Sequence, residues 1–288
     1  MRSRRRRSTT PSVDLQLALG RALAGTHGVR WSACLRGQTN TFAVHNESQV
    51  LSTASIGKLV LLVEVARRAE LDPAFLDARL DRNSASPVAD SGLWQRLHVD
   101  ALDVHDLATL VASTSDNLAT NVLLAHVGVE SVAEIGRSLG LRSTALLDIV
   151  RNERDETMSP TLSQGCAREL ADLMAHMAAG RLLTEHVSNQ LAEWMSLNTD
   201  LSMVASAFGL DPLAHSAADA AHHGVRVQNK TGTDIGVRAD VGHVTGPDGA
   251  ISYAVLANFA PSDPALPETV LTAMREIGRL LQESVTAT

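Results

Sequence analysis

The arrangement of hydrophobic patterns along the chain constrains its fold most. Alternating apolar and polar residues near both ends predict strands, and the middle of the chain carries helical periodicity. Strands this far apart in sequence can pair only if a sheet closes across the helical middle. Helices from both termini would then cover one face of an antiparallel sheet, beside an inserted helical region. The sequence therefore predicts a mixed α/β (α+β) fold.

Turn and capping residues give the predicted elements. A helix is predicted over 13–23, strands over 29–36, 41–47, 225–230, 237–244 and 251–259, and a final amphipathic helix over 267–283. Further helices are predicted to start near residues that could cap them, namely Ser55, Asp103, Asp116, Ser131, Ser163 and Thr184.

These elements suggest three segments. We predict a basic, disordered tail over 1–12, an all-α domain over 55–203, and a discontinuous α/β sheet domain formed by 13–54 and 204–288. Active sites often lie where two such units meet.

Composition argues against several classes of function. Aromatic residues make up only 3% of the chain, so base-stacking surfaces are not expected. A net charge of −7 argues against a general nucleic-acid binder. No apolar run is long enough for a membrane span, and Cys34 and Cys166 are expected to be small buried residues rather than a disulfide framework.

The arginine-rich segment 2–7 is the one contrary feature. A signal peptide needs roughly 7–15 apolar residues after its basic start, and the polar segment 8–12 follows instead. Export is therefore not predicted, and a cytoplasmic location is expected. We interpret the arginines as a solvated tail; a tether to nucleic acid or to an anionic membrane is the alternative.

Lysine is rare in this chain. Of its 25 basic residues only Lys58 and Lys230 are lysines, and the others are arginines. Arginine stays protonated in proteins, whereas a buried lysine can lose its proton. A position that keeps lysine here is thus a candidate for proton transfer, although chance would also explain two lysines.

Lys58 belongs to the motif Ser55-Ile56-Gly57-Lys58, which opens the apolar run 59–63. Residues three apart on a helix share a face, so Ser55 and Lys58 are expected to lie side by side. Apolar surroundings disfavour a charged amine, and a neutral amine can accept a serine proton. A helix cap with an incidental lysine is the alternative, since this spacing is common by chance.

A second motif, Ser115-Asp116-Asn117, falls between two predicted helices. Ser115 would lie in the bend between them and could project into a cleft. An ordinary helix cap is the alternative interpretation.

The third motif, Lys230-Thr231-Gly232-Thr233, closes a predicted strand. A glycine in a strand indicates a bulge or a close approach between backbone and ligand. Arg238 on the next strand could bind a carboxylate through two hydrogen bonds. A polar edge strand without function is the alternative.

Together the motifs resemble the Ser-x-x-Lys, Ser-Asp-Asn and Lys-Thr-Gly set of class A β-lactamases and penicillin-binding proteins. Their order and their spacing, about 60 and then about 115 residues, match that superfamily. Segments 106–110 and 194–199 are also similar, so the likeness covers most of 15–285. The resemblance implies an α/β sandwich domain beside an all-α domain, with a serine hydrolase site between them.

The resemblance also implies residue roles. Ser55 would attack a carbonyl carbon, Lys58 would take its proton, Ser115 would relay a proton to the leaving nitrogen, and Lys230 would give electrostatic support. The backbone N–H groups of Ser55 and Thr233 would form the oxyanion hole. The implied substrate-binding residues are Asn117, Thr231, Gly232, Thr233 and Arg238.

The stretch 147–160 departs from that superfamily. Class A β-lactamases carry a Glu-x-x-Leu-Asn loop whose glutamate activates the deacylating water, and the stretch here is shorter and lacks the pattern. Glu153 and Glu156 are candidate replacements, with a solvated charged loop as the alternative. The Tyr-x-Asn motif of class C relatives is absent too, since Ala254 and Val255 follow Tyr253.

Several functions stay open at this level. The first is a hydrolase that cleaves an amide, ester or β-lactam through an acyl-enzyme at Ser55. An acyltransferase and a slowly deacylating penicillin-binding-type protein are the alternatives, and a helical structural protein with accidental motifs is the fourth.

The expected partner is a small-molecule substrate, a β-lactam or an acyl amide or ester, with neither nucleic acid nor membrane. No cofactor and no metal are expected, because His222 and His223 lie in a predicted loop without a third ligand. The protein is expected to be a monomer.

Overall fold

The computed structural model describes residues 12–37, 40–213 and 224–286. The α-helices within these ranges are α1 (Ser12–Leu23), α2 (Lys58–Leu71), α3 (Val104–Thr114), α4 (Asn117–Val127), α5 (Val129–Ser138), α6 (Ala167–Ala178), α7 (Glu185–Met195) and α8 (Leu266–Val285). The strands are β1 (Val29–Arg36), β2 (Thr41–His45), β3 (Leu51–Ser52), β4 (Arg79–Asp81), β5 (Ala101–Asp103), β6 (Ala145–Leu146), β7 (Ser163–Gly165), β8 (Arg226–Asp234), β9 (Val237–Gly246) and β10 (Gly249–Phe259). Short 3₁₀ helices span Ala54–Gly57, Pro73–Asp77, Arg82–Ser84, Trp94–Arg96 and Val204–Phe208. Most of the predicted tail, and the histidines at 222 and 223, lie outside the described residues.

The main sheet has five antiparallel strands in the order β2-β1-β10-β9-β8. Its central strand β10 pairs with β1, which places Ala33 opposite Val255, although more than 200 residues separate them in sequence. Strands from both ends of the chain therefore share one sheet, and the predicted mixed α/β fold with an antiparallel sheet is confirmed.

Each face of the sheet packs against a different set of helices, because successive side chains on a strand point to opposite faces. On one face Val255 and Tyr253 pack with Leu19 of α1 and Ile277 of α8 in one apolar cluster. On the other face Val241 and Leu256 of the sheet belong to a second cluster, which includes residues of α2 to α7. The second face is therefore the one that meets the helical middle of the chain.

Three predicted helix starts coincide with observed caps. The side chains of Asp103, Asp116 and Thr184 each accept a hydrogen bond from a backbone N–H in the first turn of α3, α4 and α7. Such caps satisfy groups that the helix itself leaves without partners.

Three other predicted starts need correction. Ser163 opens strand β7 rather than a helix, because its backbone pairs with Leu146 of β6; α6 begins only at Ala167. Ser55 lies in the 3₁₀ helix Ala54–Gly57, ahead of α2. Helix α5 begins two residues before Ser131.

Cys34 and Cys166 are buried free thiols, which confirms the prediction. Burial raises the pKa of Cys34 to about 11, so this group stays a neutral thiol. Among the described residues, no single helix is long and apolar enough to cross a membrane; α4 and α5 pass that test only as a pair, bent by 84°.

One buried carboxylate connects strands of the sheet to the segment that follows α7. Asp240 of β9 is fully buried, and its Oδ1 accepts hydrogen bonds from Asn229 Nδ2 and the Tyr253 hydroxyl, both at 3.0 Å. Its Oδ2 accepts the backbone N–H groups of Val204 at 2.9 Å and Ala205 at 3.4 Å. The side chain thereby links β8, β9 and β10 to the 3₁₀ helix Val204–Phe208.

Replacing Asp240 with alanine leaves those donors buried without an acceptor. An unsatisfied buried donor costs about 1–3 kcal/mol, so we expect D240A to lower the free energy of unfolding by about 3 kcal/mol or more. Urea unfolding followed by circular dichroism measures the change. The exposed Asp77 supplies a control, since D77A should change stability by less than about 0.5 kcal/mol. A loss below about 1 kcal/mol in D240A would contradict the bridging role.

The same residue should give stability a pH dependence. Burial raises the pKa of Asp240 to about 6, whereas an unfolded aspartate titrates at about 4. Between these values the folded state holds the additional proton, so the contribution of Asp240 to stability falls as pH rises from about 4 to about 6 and is constant above that. The D240A variant should lack this slope in unfolding measured across the same range.

Candidate active site

Ser55 lies in the 3₁₀ turn that joins β3 to α2, where it is half-buried. The preceding residue, Ala54, has a left-handed backbone with φ of 48°. Ser163 of β7 holds this turn: its hydroxyl donates to the Ala54 carbonyl at 2.5 Å and accepts the Gly57 N–H at 3.3 Å. Strained conformations of this kind persist where surrounding contacts enforce them. The position of Ser55 is thus set by tertiary contacts as well as by α2.

Ser115 lies in the bend between α3 and α4, as the sequence predicts, with a left-handed φ of 55°. The neighbouring Asp116 fixes this bend, because its carboxylate accepts the N–H of Ala119 in α4 at 2.9 Å. The same carboxylate accepts the N–H groups of Leu93 at 2.7 Å and Trp94 at 2.8 Å. Ser115 is therefore held between two helices and the loop that precedes β5.

Both lysines of the chain are fully buried and point at Ser115. Lys58 Nζ donates to the Ser115 carbonyl at 2.6 Å, to Asn117 Oδ1 at 2.8 Å and to Ser115 Oγ at 3.3 Å. Lys230 Nζ donates to Ser115 Oγ at 3.0 Å and to the Thr231 carbonyl at 2.9 Å. One serine hydroxyl thus lies between the two amines.

Burial shifts the pKa of both amines. The loss of hydration lowers the pKa of Lys58 well below its usual value, and the charge of Lys230 lowers it further, while Asp116 opposes the shift. Burial lowers the pKa of Lys230 to about 8, against the opposing charges of Asp200 and Asp240. Both shifts favour loss of the amine proton, and at Lys58 the charge of Lys230 adds to the effect of burial.

Strand β8 approaches the Ser55 turn closely at Gly232. A Cβ atom at this position would overlap the Thr53 carbonyl oxygen and would lie 3.2 Å from the Ser55 backbone nitrogen. Only glycine allows this approach, which brings the edge of the sheet beside the Ser55 N–H.

Ser55, Ser115, Thr231 and Thr233 line one polar cavity of about 170 Å³. The other described residues that line it are Ser91, Ser113, Thr114, Asn198, Thr199 and Asp200. The three sequence motifs therefore converge on a single cavity, with Lys58 and Lys230 buried directly behind it.

Two details differ from the roles that the motifs imply. Arg238 is not among the described residues that line a cavity with Ser55; its Nη1 donates to the carbonyls of Asp234 at 3.0 Å and Val237 at 2.7 Å. Arg238 is therefore held by its own hairpin. Within the described part of the chain, Lys58 donates to Ser115 and Asn117 and not to Ser55.

A second cavity of about 110 Å³ also reaches Ser55, on the side of the stretch 147–160. Val150 lines it, and the backbone of Val150 is held from both sides by Asn121, whose amide group donates to the Val150 carbonyl and accepts its N–H, both at 2.8 Å. Arg151 and Arg154 line the same cavity while they pair with Asp148. An apolar side chain thus occupies the part of this loop that Asn121 fixes beside the site.

Glu153 and Glu156 are the candidate replacements for the missing loop glutamate. Both are exposed, and neither is among the described residues that line the two cavities at Ser55. The alternative of a solvated charged loop fits their positions. Asn121 was not predicted as a site residue, although it lies four residues after Asn117 on one helix face, which was a usable signal.

Comparisons with known proteins agree with this geometry. The family described as the beta-lactamase enzyme family matches residues 17–285. Beta-lactamase L2 of Stenotrophomonas maltophilia is 27% identical over 274 residues, which cover 92% of this chain and 78% of L2. Beta-lactamase Toho-1 of Escherichia coli is 25% identical over 196 residues, 65% of this chain and 64% of that protein.

Solved structures agree on the fold. A β-lactamase from Sphaerobacter thermophilus superposes with a TM-score of 0.79 at 23% identity, covering 94% of this chain and 98% of that one. The structure of PBP-A gives a TM-score of 0.74 at 19% identity, covering 94% and 97%. The fold and the convergent motifs define a serine β-lactamase-like hydrolase. The chain belongs to the beta-lactamase enzyme family.

The two lysines should give acylation a characteristic pH dependence. The rate should rise as Lys58 loses its proton and fall above about pH 8 as Lys230 loses its own. Because arginine stays protonated, K230R should retain activity at higher pH and lack the fall near pH 8. Stopped-flow measurement with a chromogenic β-lactam between pH 5 and pH 10 gives the profiles.

K58R is the matched comparison, because an arginine cannot take up the serine proton. It should be inactive over the whole pH range, while thermal unfolding checks that both variants are folded. An unchanged fall near pH 8 in folded K230R would show that another group causes it.

Proposed function

We propose that this protein is a serine hydrolase that opens β-lactams, or cleaves related amides and esters, through an acyl-enzyme at Ser55. The observation that carries the proposal is the placement of Ser55 and Ser115 in one cavity, with Lys58 and Lys230 both bonded to Ser115. The relatives named beta-lactamase L2 and Toho-1 support the substrate class. The comparisons do not favour the alternative of an acyltransferase or a slowly deacylating penicillin-binding-type protein.

The proposed acylation step begins when Ser55 Oγ attacks the carbonyl carbon. A bond forms between Oγ and that carbon, and the serine proton passes to the neutral amine of Lys58. The N–H groups of Ser55 and Thr233 would stabilise the oxyanion, and loss of one such donor costs about 2.7–4 kcal/mol in other enzymes. The bond from carbon to the leaving group then breaks.

Proton delivery follows the hydrogen bonds at Ser115. Its hydroxyl accepts from both Lys58 and Lys230, so a proton can move from Lys58 through Ser115 to a leaving nitrogen. Lys230 keeps a positive charge beside the same hydroxyl. Asn117 would orient Lys58 through its Oδ1, and its Nδ2 is held by the Ala89 carbonyl at 2.9 Å.

Substrate binding is assigned to the sheet edge. Thr231 and Thr233 offer hydroxyl donors in the cavity, and Gly232 keeps the backbone there close to Ser55. Arg238 lies across from Thr233 and would bind a substrate carboxylate, while its Nη1 donates to the Asp234 and Val237 carbonyls.

The proposed site lies between two domains. The discontinuous domain of 13–54 and 204–288 would carry Lys230 and the sheet edge, and the all-α domain of 55–203 would carry Ser55, Lys58 and Ser115. The two apolar clusters, one on each face of the sheet, support that division. A cytoplasmic monomer that needs no metal or cofactor stays a prediction from the sequence.

Covalent labelling tests the nucleophile directly. After incubation with penicillin G, intact mass spectrometry of the purified protein should show an adduct equal to the whole penicillin, since ring opening releases nothing. S55A should show no adduct. S113A is the matched control, because Ser113 lines the same cavity while its hydroxyl is bound to the Thr109 carbonyl. Labelling of S55A at another residue would overturn the assignment.

Val150 is the position at which a base for deacylation could be introduced. Val150 lines the cavity beside Ser55 without offering a base, so V150E should place a carboxylate there. General base catalysis contributes about 10²–10⁴-fold, and we expect V150E to deacylate at least about tenfold faster. Decay of the penicillin adduct after removal of free penicillin gives the rate. V150Q has the same shape without the base, and equal rates in the two variants would contradict the role of this position.

A further inference from the structure

A third cavity, of about 440 Å³, lies next to the smaller of the two cavities at Ser55. Three pairs of consecutive residues divide between these two spaces. One member of each pair lines the cavity at Ser55 and the other lines the third cavity, namely Asp90 and Ala89, Asn117 and Leu118, and Arg151 and Asn152. The two cavities therefore adjoin along three separate segments of the chain.

The third cavity lies on the acyl side of the scissile bond. In the proposed acyl-enzyme, Ser115 and the edge of β8 contact the side of the leaving nitrogen, in the larger cavity at Ser55. The smaller cavity, which Asn117 and Val150 line, then remains for the acyl group. An acyl group that extends beyond this smaller cavity would meet the third cavity.

Hydrogen bonds hold the wall between the two cavities. The Ala89 carbonyl accepts Asn117 Nδ2 at 2.9 Å, and the Ala89 N–H donates to Asn152 Oδ1 at 2.8 Å. Gln95, which also lines the third cavity, donates through its Nε2 to the Asp90 carbonyl at 2.7 Å. The contacts that fix the third cavity are thus the ones that hold Asn117 in the active site.

The lining of the third cavity combines apolar walls with one cation. Val88 and Leu118 are buried, and Ala85 and Pro87 extend the apolar surface. Arg82 is the sole acidic or basic side chain among the described residues that line the cavity. Apolar walls with a single cation favour an aliphatic chain that carries a negative charge.

The guanidinium of Arg82 is held in place by its neighbours. It lies over the Trp94 ring, 5.9 Å from the ring centroid, and its Nη1 donates to the Leu97 carbonyl at 3.1 Å. Within the described part of the chain, no acidic side chain pairs with it. A guanidinium stacked on a ring still presents N–H groups along its edge, and these can bind a carboxylate through two hydrogen bonds.

Asp90 makes the expected selection depend on the length of the chain. Its exposed carboxylate lines the smaller cavity at Ser55, ahead of the third cavity. A short acyl group with an anionic end would place that charge beside Asp90 and be repelled. A longer chain would carry its charge past Asp90 to Arg82.

We propose that the third cavity is an acyl-side subsite for substrates whose acyl group is a long aliphatic chain with a terminal carboxylate, and that Arg82 binds this carboxylate. This inference rests on the proposed acyl-enzyme at Ser55. The covalent step is unchanged: the bond between Ser55 Oγ and the carbonyl carbon forms, the carbon–nitrogen bond breaks, and the serine proton ends on the nitrogen. The subsite acts before that step, by holding the far end of the acyl group.

Penicillins that differ only in the acyl chain test the subsite. The amine of the penicillin nucleus is acylated with straight chains of six, eight or ten carbon atoms, each prepared with a terminal carboxylate and with a terminal methyl group. The second-order rate constant for acylation of Ser55 is measured by intact mass against time. The ratio of carboxylate to methyl compound should be at least about tenfold at eight or ten carbon atoms, since hydrogen bonds between charged groups suffice for this. It should be one or less at six carbon atoms.

R82Q should lower the ratio for the long chains about tenfold, because glutamine can donate hydrogen bonds but carries no charge. R96Q is the matched control, since Arg96 is exposed and is not among the described residues that line the cavity. The ratios in R96Q should equal those of the unaltered protein. The six-carbon compounds should acylate R82Q at unchanged rates, which checks that the acylation step is intact.

The outcomes separate this inference from the proposed function. Equal ratios in the unaltered protein and R82Q at every chain length, with Ser55 acylated throughout, would overturn the subsite and leave the acyl-enzyme in place. Failure of all the compounds to acylate Ser55 would overturn the proposed function, and the inference with it.

Discussion

Two buried lysines that share one serine hydroxyl are the constraint around which this structure is organised. Removing two ammonium groups from water is expensive, and such groups persist only when hydrogen bonds and proton loss compensate. Lys58 comes from α2, Lys230 from β8, and Ser115 from the bend between α3 and α4. The three elements must therefore meet within hydrogen-bond distance, which places the junction between helices and sheet and the chemical centre at the same point.

Two buried carboxylates near this centre bind donors of the surrounding elements. Asp116 caps α4 and holds the loop at Leu93 and Trp94, so the bend that presents Ser115 cannot shift independently. Asp240 does the same for the sheet edge through Asn229. The site thus depends on carboxylates that are not among the described residues lining the cavities at Ser55, a common feature of well-positioned active sites.

The sequence predicted those features that local chemistry determines. Capping side chains marked α3, α4 and α7, and motif spacing brought Ser55, Ser115 and Lys230 into one site, because each motif fixes a short local geometry. Ser163 was misassigned, since its role depends on pairing with β6 and on contact with a turn more than 100 residues away. The sequence did not predict Asp200 or Val150 as site residues for the same reason. Their relevance depends on which cavity they line, and tertiary contacts decide that.

The strand order has a consequence for how the chain reaches its native state. The N-terminal hairpin of β1 and β2 joins the sheet only through β10, the last strand of the described chain. During synthesis from the N-terminus, β1 therefore stays unpaired with its central partner, β10, until residues 249–259 have emerged from the ribosome. Until then the five-stranded sheet cannot be complete. Closing so long a loop is slow compared with local helix formation. The helical middle can form early, whereas the cavity between helices and sheet is complete only after the final strand has paired.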